Sequence, residues 1–212
     1  MPQGSNMTLE RWHRLMDTWS FRSNEDTFHV LLNAYSEPGR HYHSVAHVDA
    51  CLYHLDRCTA ALDHPEEVEL ALWFHDAVYK PLATGNEQKS ADWAYNFLLD
   101  NAAGQEKAAR VHRLIMVTEH NAPTCTTDES ILVDIDLAIL GSTPDIYDVF
   151  ERGVRQEYCL VPQLLYREKR MEVLRGFLDR DRIYHNEPFT SEREELARKN
   201  LASAIARLEA GG

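Results

Sequence analysis

Apolar side chains return every three or four residues through almost the whole chain, and this pattern limits the fold more than any other feature. Leu9, Trp12, Leu15, Met16 and Trp19 form one such stripe, with Thr8 placed to cap it. Phe28, Leu31, Leu32 and Tyr35 form a second, which stops at the turn signal Ser36-Glu37-Pro38-Gly39. A third runs from Ser44 to Leu62 and turns Val45, Val48, Cys51, Leu52, Leu55 and Cys58 inward. Pro65, Glu66 and Glu67 suit the first turn of a fourth helix, which carries on towards Pro81. Asn86 is placed to cap a fifth, closed by Gly104, and a sixth covers Glu106 to Thr118. Residues 121–130 read as a polar loop. ILVDIDLAIL (131–140) has the β-branched content of a strand but no strand partner elsewhere, so helix is predicted. Helices over 145–159, 162–179 and 191–208 complete the chain, the last opened by a Ser191/Glu194 capping box. No repeat or linker interrupts the series. The expectation is an all-α chain: one helical bundle over residues 8–210, behind a disordered or tag-like segment 1–7.

Composition narrows the function. The chain has 212 residues, 44% hydrophobic and 26% charged, as in an ordinary globular domain. No apolar run is long enough to span a bilayer, and the N-terminal residues lack the pattern of a secretory signal. Net charge is −12 with no Lys/Arg cluster, which argues against a surface for a nucleic-acid polymer. A phosphorylated substrate would then need a few local cations or a metal. Cys51, Cys58, Cys125 and Cys159 form no Cys-x-x-Cys pair. They read as reduced thiols of a cytoplasmic protein rather than a zinc site.

The polar intrusion is WFHDAVY (73–79), which sets His75-Asp76 inside the apolar run of the fourth helix. With 11 His and 15 Asp, one such dipeptide is expected by chance, so its surroundings must decide. Tyr42, His43 and His47 begin the third helix, His120 ends the sixth, and Asp134 and Asp136 lie on the seventh. In a bundle, these elements can aim imidazole and carboxylate groups at one point, which is how bundle cores build metal sites. That donor set suits Mg, Mn, Fe, Co, Ni or Zn. An unpaired charge at Asp76 inside an apolar helix would be costly otherwise. Adjacent helical residues point about 100° apart, so His75 and Asp76 can share an ion only over the helix surface between them.

In this order His47, His75-Asp76 and Asp136 resemble the H…HD…D signature of the HD superfamily of metal-dependent phosphohydrolases. The similarity is closest to a bacterial branch of predicted HD phosphohydrolases, through YHSVAHV (42–48), ALWFHDAVY (71–79), NEQKSA (86–91), DIDLAILG (134–141) and RIYHNEPF followed by ARKNL. It extends from about Trp12 to Leu201. The resemblance implies a bundle of the HD/phosphodiesterase type around a divalent metal, with His47, His75, Asp76 and Asp136 as ligands. The last ligand of that family commonly lies in an Ala-Asp-Arg-Leu context; here Asp134-Ile135-Asp136-Leu137 lacks the arginine. Residues two apart on a helix diverge by about 200°, so one of Asp134 and Asp136 closes the site, and Asp136 aligns best. Tyr42-His43-x-x-x-His47 is also similar to the opening motif of cyclic-nucleotide phosphodiesterases, which implies His43 as the general acid.

Glu87, His120, Asp134, Tyr42, Arg40 and Lys80 are candidates for supporting or substrate-binding roles. Arg155 and Arg170 are further possible phosphate partners, and His185 reads as structural or surface. The expected activity is hydrolysis of a small phosphorylated metabolite, for instance a nucleotide, by metal-activated water. Two rivals stand beside it. One is an HD-type oxygenase with two irons, using His120 and His112. The other is a non-catalytic HD module that binds a nucleotide.

Overall fold

The computed structural model describes residues 5–211. It forms one all-α bundle, with no strand among the described residues. The ten helices among the described residues are α1 Leu9–Thr18, α2 Glu25–Tyr35, α3 Val45–Cys58, α4 Pro65–Phe74, α5 Asn86–Asp100, α6 Gln105–Met116, α7 Thr127–Asp136, α8 Pro144–Glu157, α9 Gln163–Leu178 and α10 Phe189–Glu209. Among the described residues, no helix is long and apolar enough to cross a membrane.

The centre of the bundle is α4. Val68, Leu70, Ala71, Leu72, Trp73 and Phe74 are all fully buried, and α1, α3, α5, α6 and α7 pack around them. A helix apolar on every side can exist in water only as such a core element. Trp12, Trp73, Phe74 and Phe97 pack edge-on or tilted at centroid distances of 5.3–5.9 Å, which locks α1 and α5 onto α4. The expected Thr8 cap forms, its hydroxyl accepting the Arg11 N–H.

Several local expectations need correction. The fourth helix stops at Phe74 rather than running towards Pro81. Tyr35 sets this end: its hydroxyl donates to the Trp73 carbonyl and accepts the Asp76 N–H. His75 is therefore the closing residue of α4 and Asp76 lies in the turn beyond it. Asn86 is not a cap but the first residue of α5, and its amide bonds both the N–H and the carbonyl of Lys80. The loop 121–130 is shorter than expected, because Thr126 caps α7. ILVDIDLAIL is helical to Asp136 and then tightens into a 3-10 turn, Leu137–Gly141. The Ser191/Glu194 capping box is absent: α10 begins at Phe189, and Glu194 instead accepts the Ile183 and Tyr184 N–H groups. Of the segment 1–7, residues 1–4 lie outside the described residues. Ser5, Asn6 and Met7 all donate to the Asp49 carboxylate, and Met7 is buried, so this part belongs to the bundle.

One close approach prepares the site. A Cβ on Gly153 would lie 3.1 Å from the His41 carbonyl oxygen. Glycine at this point lets the loop before α3 rest directly on α8, one turn before Glu157.

Candidate metal centre

Three helix ends bring their side chains to one point. His47 comes from the first turns of α3, His75 and Asp76 from the end of α4, and Asp136 is the last residue of α7. His47 Nε2 lies 2.9 Å from His75 Nε2, 3.2 Å from Asp136 Oδ1 and 3.5 Å from Asp76 Oδ2. His75 Nε2 lies 3.1 Å from Asp76 Oδ2 and 3.7 Å from Asp136 Oδ1. Metal–ligand bonds of about 2.0–2.2 Å place neighbouring ligand atoms about 3.0–3.5 Å apart in octahedral or tetrahedral shells. The donor atoms already have this spacing. His75 Nδ1 lies 2.9 Å from the Leu72 carbonyl and must donate to it, so Nε2 is the nitrogen that faces the cluster and would offer its lone pair there once its proton is displaced. The residues present fit a divalent ion.

Cys51 joins the group from one turn further along α3. His47, Cys51, His75 and Asp136 offer ligand atoms that all lie within 4.8 Å of one another, and this buried set can hold a metal ion. Cys51 Sγ is 3.8 Å from both ring nitrogens of His47. Burial, with Asp136 and Asp76 adding, pushes its thiol well above the ordinary range, so it is a neutral thiol and a weak donor. The Asp76 carboxylate, at 3.1 Å from His75, is the harder and better placed oxygen ligand.

Charge in the cluster is balanced by protons. Burial lowers the proton affinity of His75, but Asp76 and Asp136 outweigh it and hold the group up at about 9. Burial would raise both carboxyls. His75 and His43 instead pull Asp76 below the usual range, and hydrogen bonds from His120 and His47 do the same for Asp136. A divalent cation competes with those protons for the same place.

His120 approaches from the turn after α6, its Nε2 3.0 Å from Asp136 Oδ2. Its backbone is left-handed, at φ +56, and its Nδ1 is buried without a partner. A non-glycine residue held there is a strained position of the kind that collects at functional sites.

His43 stands beside this cluster. Its Nδ1 lies 2.7 Å from Glu157 Oε2, and its ring stacks on Tyr79 at 4.1 Å. Glu157 is a site residue that sequence reasoning missed, as is Cys51, which it read only as a reduced thiol. Its other oxygen accepts the backbone N–H groups of His41, Tyr42 and His43, and Tyr79 donates its hydroxyl to the same oxygen as His43. Burial opposes ionisation, but His43 and these N–H donors bring the Glu157 carboxyl down to about 2. Tyr42 packs its ring against His47 and Phe150 at 4.8 and 4.5 Å.

The remaining candidates fall elsewhere. Arg40 is not free to meet phosphate: its side chain is 3% exposed and donates to the carbonyls of His43, Asp76 and Ala77. It thereby ties the His43 loop to the Asp76 turn. Lys80 is exposed and contributes only backbone groups to Asn86, and no hydrogen bond joins Glu87 to the cluster among the described residues. Arg155 serves the carbonyls of Tyr158 and Val161, and Arg170 pairs with Glu151. His112 bonds Gln88 and Asp92 rather than the cluster. A cavity of about 420 Å³ is lined by His47, Cys51 and Asp136 together with Ile139, Ile146, Val149 and Arg193.

Asp134 turns away from Asp136 into a different buried contact. It accepts the His185 and Asn186 backbone N–H groups and the Asn186 amide at 2.7–3.0 Å. Its side chain therefore fastens the segment before α10 to α7. Asp134→Ala is expected to cost roughly 2–4 kcal/mol through the buried donors it strands, with metal content unchanged. Chemical denaturation and elemental analysis of the same preparation check both halves.

No family model, curated protein or solved structure matches this chain.

Proposed function

We propose that this chain is a metal-dependent phosphohydrolase of the HD type, acting on a small phosphorylated metabolite such as a nucleotide. The observation that carries the reading is the meeting of His47, His75, Asp76 and Asp136 at ligand-to-ligand distances of 2.9–3.7 Å. The resemblance of the flanking motifs to the HD superfamily supports it. On this reading those four residues hold one divalent ion, from among Mg, Mn, Fe, Co, Ni and Zn. When bound, such an ion lowers the pKa of a coordinated water towards neutrality and offsets phosphoryl charge.

The chain's own groups supply the rest. Glu157 accepts the Nδ1 proton of His43, so Nε2 is the nitrogen that faces the reaction and donates a proton to the departing oxygen. Arg40, through three carbonyls, keeps the His43 loop and the Asp76 turn at fixed separation. The four unpaired thiols suit a cytoplasmic protein. No nucleic-acid polymer or membrane is part of this reading.

A second reading, a two-iron oxygenase, draws on the 3.0 Å contact between His120 and Asp136. Elemental analysis of protein purified without chelator, followed by a screen of phosphorylated metabolites with the metal found, separates the two. One ion per chain and phosphate release are expected. Two irons with a visible absorption band, and no phosphate release, would replace hydrolysis with oxygen chemistry.

A further inference from the structure

A site that hydrolyses phosphate esters must also hold an anion, and here the arginine nearest the cluster is spent. Arg40 is buried on carbonyl groups, and Lys80 is exposed at the loop before α5. Arg193, which lines the cavity beside the cluster, spends Nη1 on the Ala138 and Gly141 carbonyls and lies against His54 through Nη2. Arg180 has more of its donors open. Arg180, just beyond α9, donates from Nη2 to the His120 carbonyl at 3.0 Å. It also lies over the Phe177 ring at 4.7 Å, and that ring meets the His120 imidazole edge-on at 5.7 Å. His120 in turn touches Asp136. Arg180 is therefore one residue away from the candidate metal cluster.

Its bonding is incomplete. Of the five N–H donors of a guanidinium, one is used, and no carboxylate lies within ion-pair distance among the described residues. Arg180 is half-buried, unlike an arginine that water can serve on all sides. Burial without a neighbouring carboxylate pushes its pKa below the ordinary arginine value.

Its backbone, by contrast, is fixed from α10. Arg198 donates to the carbonyls of Leu178, Arg180 and Asp181, and its Nε pairs with Glu194. Glu194 also takes the Ile183 and Tyr184 N–H groups, and Asp134 takes those of His185 and Asn186. The turn that carries Arg180 is thus clamped to α7 and α10 while the guanidinium keeps four donors open. A rigidly mounted, unpaired guanidinium beside a reactive centre is the arrangement that recognises a planar pair of anionic oxygens.

We propose that Arg180 is the anion-binding residue of this site and holds an oxyanion of the substrate, a phosphate group, against the His120 side of the cluster. The inference rests on the phosphohydrolase reading for the identity of the oxyanion. Phe177 orients the guanidinium plane by stacking, and the His120 carbonyl sets its tilt.

The test is inorganic phosphate binding to the full chain loaded with Mn(II), by calorimetry, in the wild type, Arg180→Gln and Arg180→Lys. Arg180→Gln is expected to weaken phosphate about 10–100-fold, the effect of a lost charge-assisted hydrogen bond. Its manganese content and its melting temperature without phosphate should match the wild type. Arg180→Lys should recover part of the affinity through charge alone. Phosphate affinity within twofold of wild type in Arg180→Gln would overturn the proposal. So would undetectable phosphate binding by the wild type, or a melting temperature that falls equally in both variants, which would make Arg180 structural. The two readings fail separately. Phosphate bound through Arg180 with no phosphoester turned over removes the hydrolase and keeps the anion site. Hydrolysis with KM and phosphate affinity unmoved in Arg180→Gln removes the anion site alone.

Discussion

Asp136→Ala is expected to purify without stoichiometric metal while retaining its helical far-ultraviolet spectrum. Asp136 is the residue that both His47 and His120 reach, at 3.2 and 3.0 Å, so its loss opens the shell on two sides. Groups that only orient a ligand cost about 10–100-fold in metal affinity when removed, and a ligand itself should cost more. Helicity should survive because Asp136 sits at the end of α7, and Ile131, Leu132 and Ile135 still bury that helix. Asp134→Ala supplies the contrast: two residues away and completely buried, it should lose stability and keep the ion. Isothermal titration with the native metal measures the difference. Equal metal affinity in Asp136→Ala and wild type would remove Asp136 from the shell.

Glu157→Gln is expected to lower kcat by about 100-fold or more with metal content unchanged, the range that positioned general acids contribute. The carboxylate does two things at once. It fixes the His43 ring through Nδ1, and it gathers the N–H groups of residues 41–43 that shape the loop around it. A glutamine can accept some of those bonds but carries no charge opposite His43. The variant should also change the acid limb of stability. The folded Glu157 carboxyl lies at about 2, below the roughly 4.3 of a free glutamate, so its contribution is full above that value. It is lost as pH falls from there towards 2. Denaturation midpoints measured across this window should therefore fall less steeply in Glu157→Gln. Parallel curves for variant and wild type would show that Glu157 is not held by the contacts described.

The difference between what could and could not be read from the sequence follows from range. The helices were legible because core burial imposes a 3.6-residue period, and α1, α2, α3 and α8 appear close to where the pattern puts them. His43 and His47 were expected on one helical face, but α3 begins at Val45, so His43 lies in the loop before it and Glu157 rather than the helix places its ring. The end of α4 was not legible, because it is fixed by the Tyr35 hydroxyl from 38 residues away. The divergence of Asp134 and Asp136 followed from helical geometry, but the partner of Asp134 did not: α7 is buried on more than one side, and the 185–186 backbone meets its second buried face. Glu157 lies 114 residues from His43, one acid among several on an amphipathic helix, with no local mark of its role. The nearby signal was Gly153, four residues earlier, where a side chain would collide with the His41 carbonyl. Arg180 was equally silent, since what distinguishes it is the absence of a carboxylate, a property of three-dimensional surroundings alone.

The proposed function stands or falls with a divalent ion held by His47, His75, Asp76 and Asp136 as the centre of phosphoester hydrolysis. Phosphate release measured side by side for wild type and Asp76→Ala, each supplied with the ion found in the native protein, tests it most directly. The expected result is release by the wild type that a chelator abolishes, and no release by an Asp76→Ala protein that keeps its helicity. Full activity in Asp76→Ala lacking bound metal would contradict it.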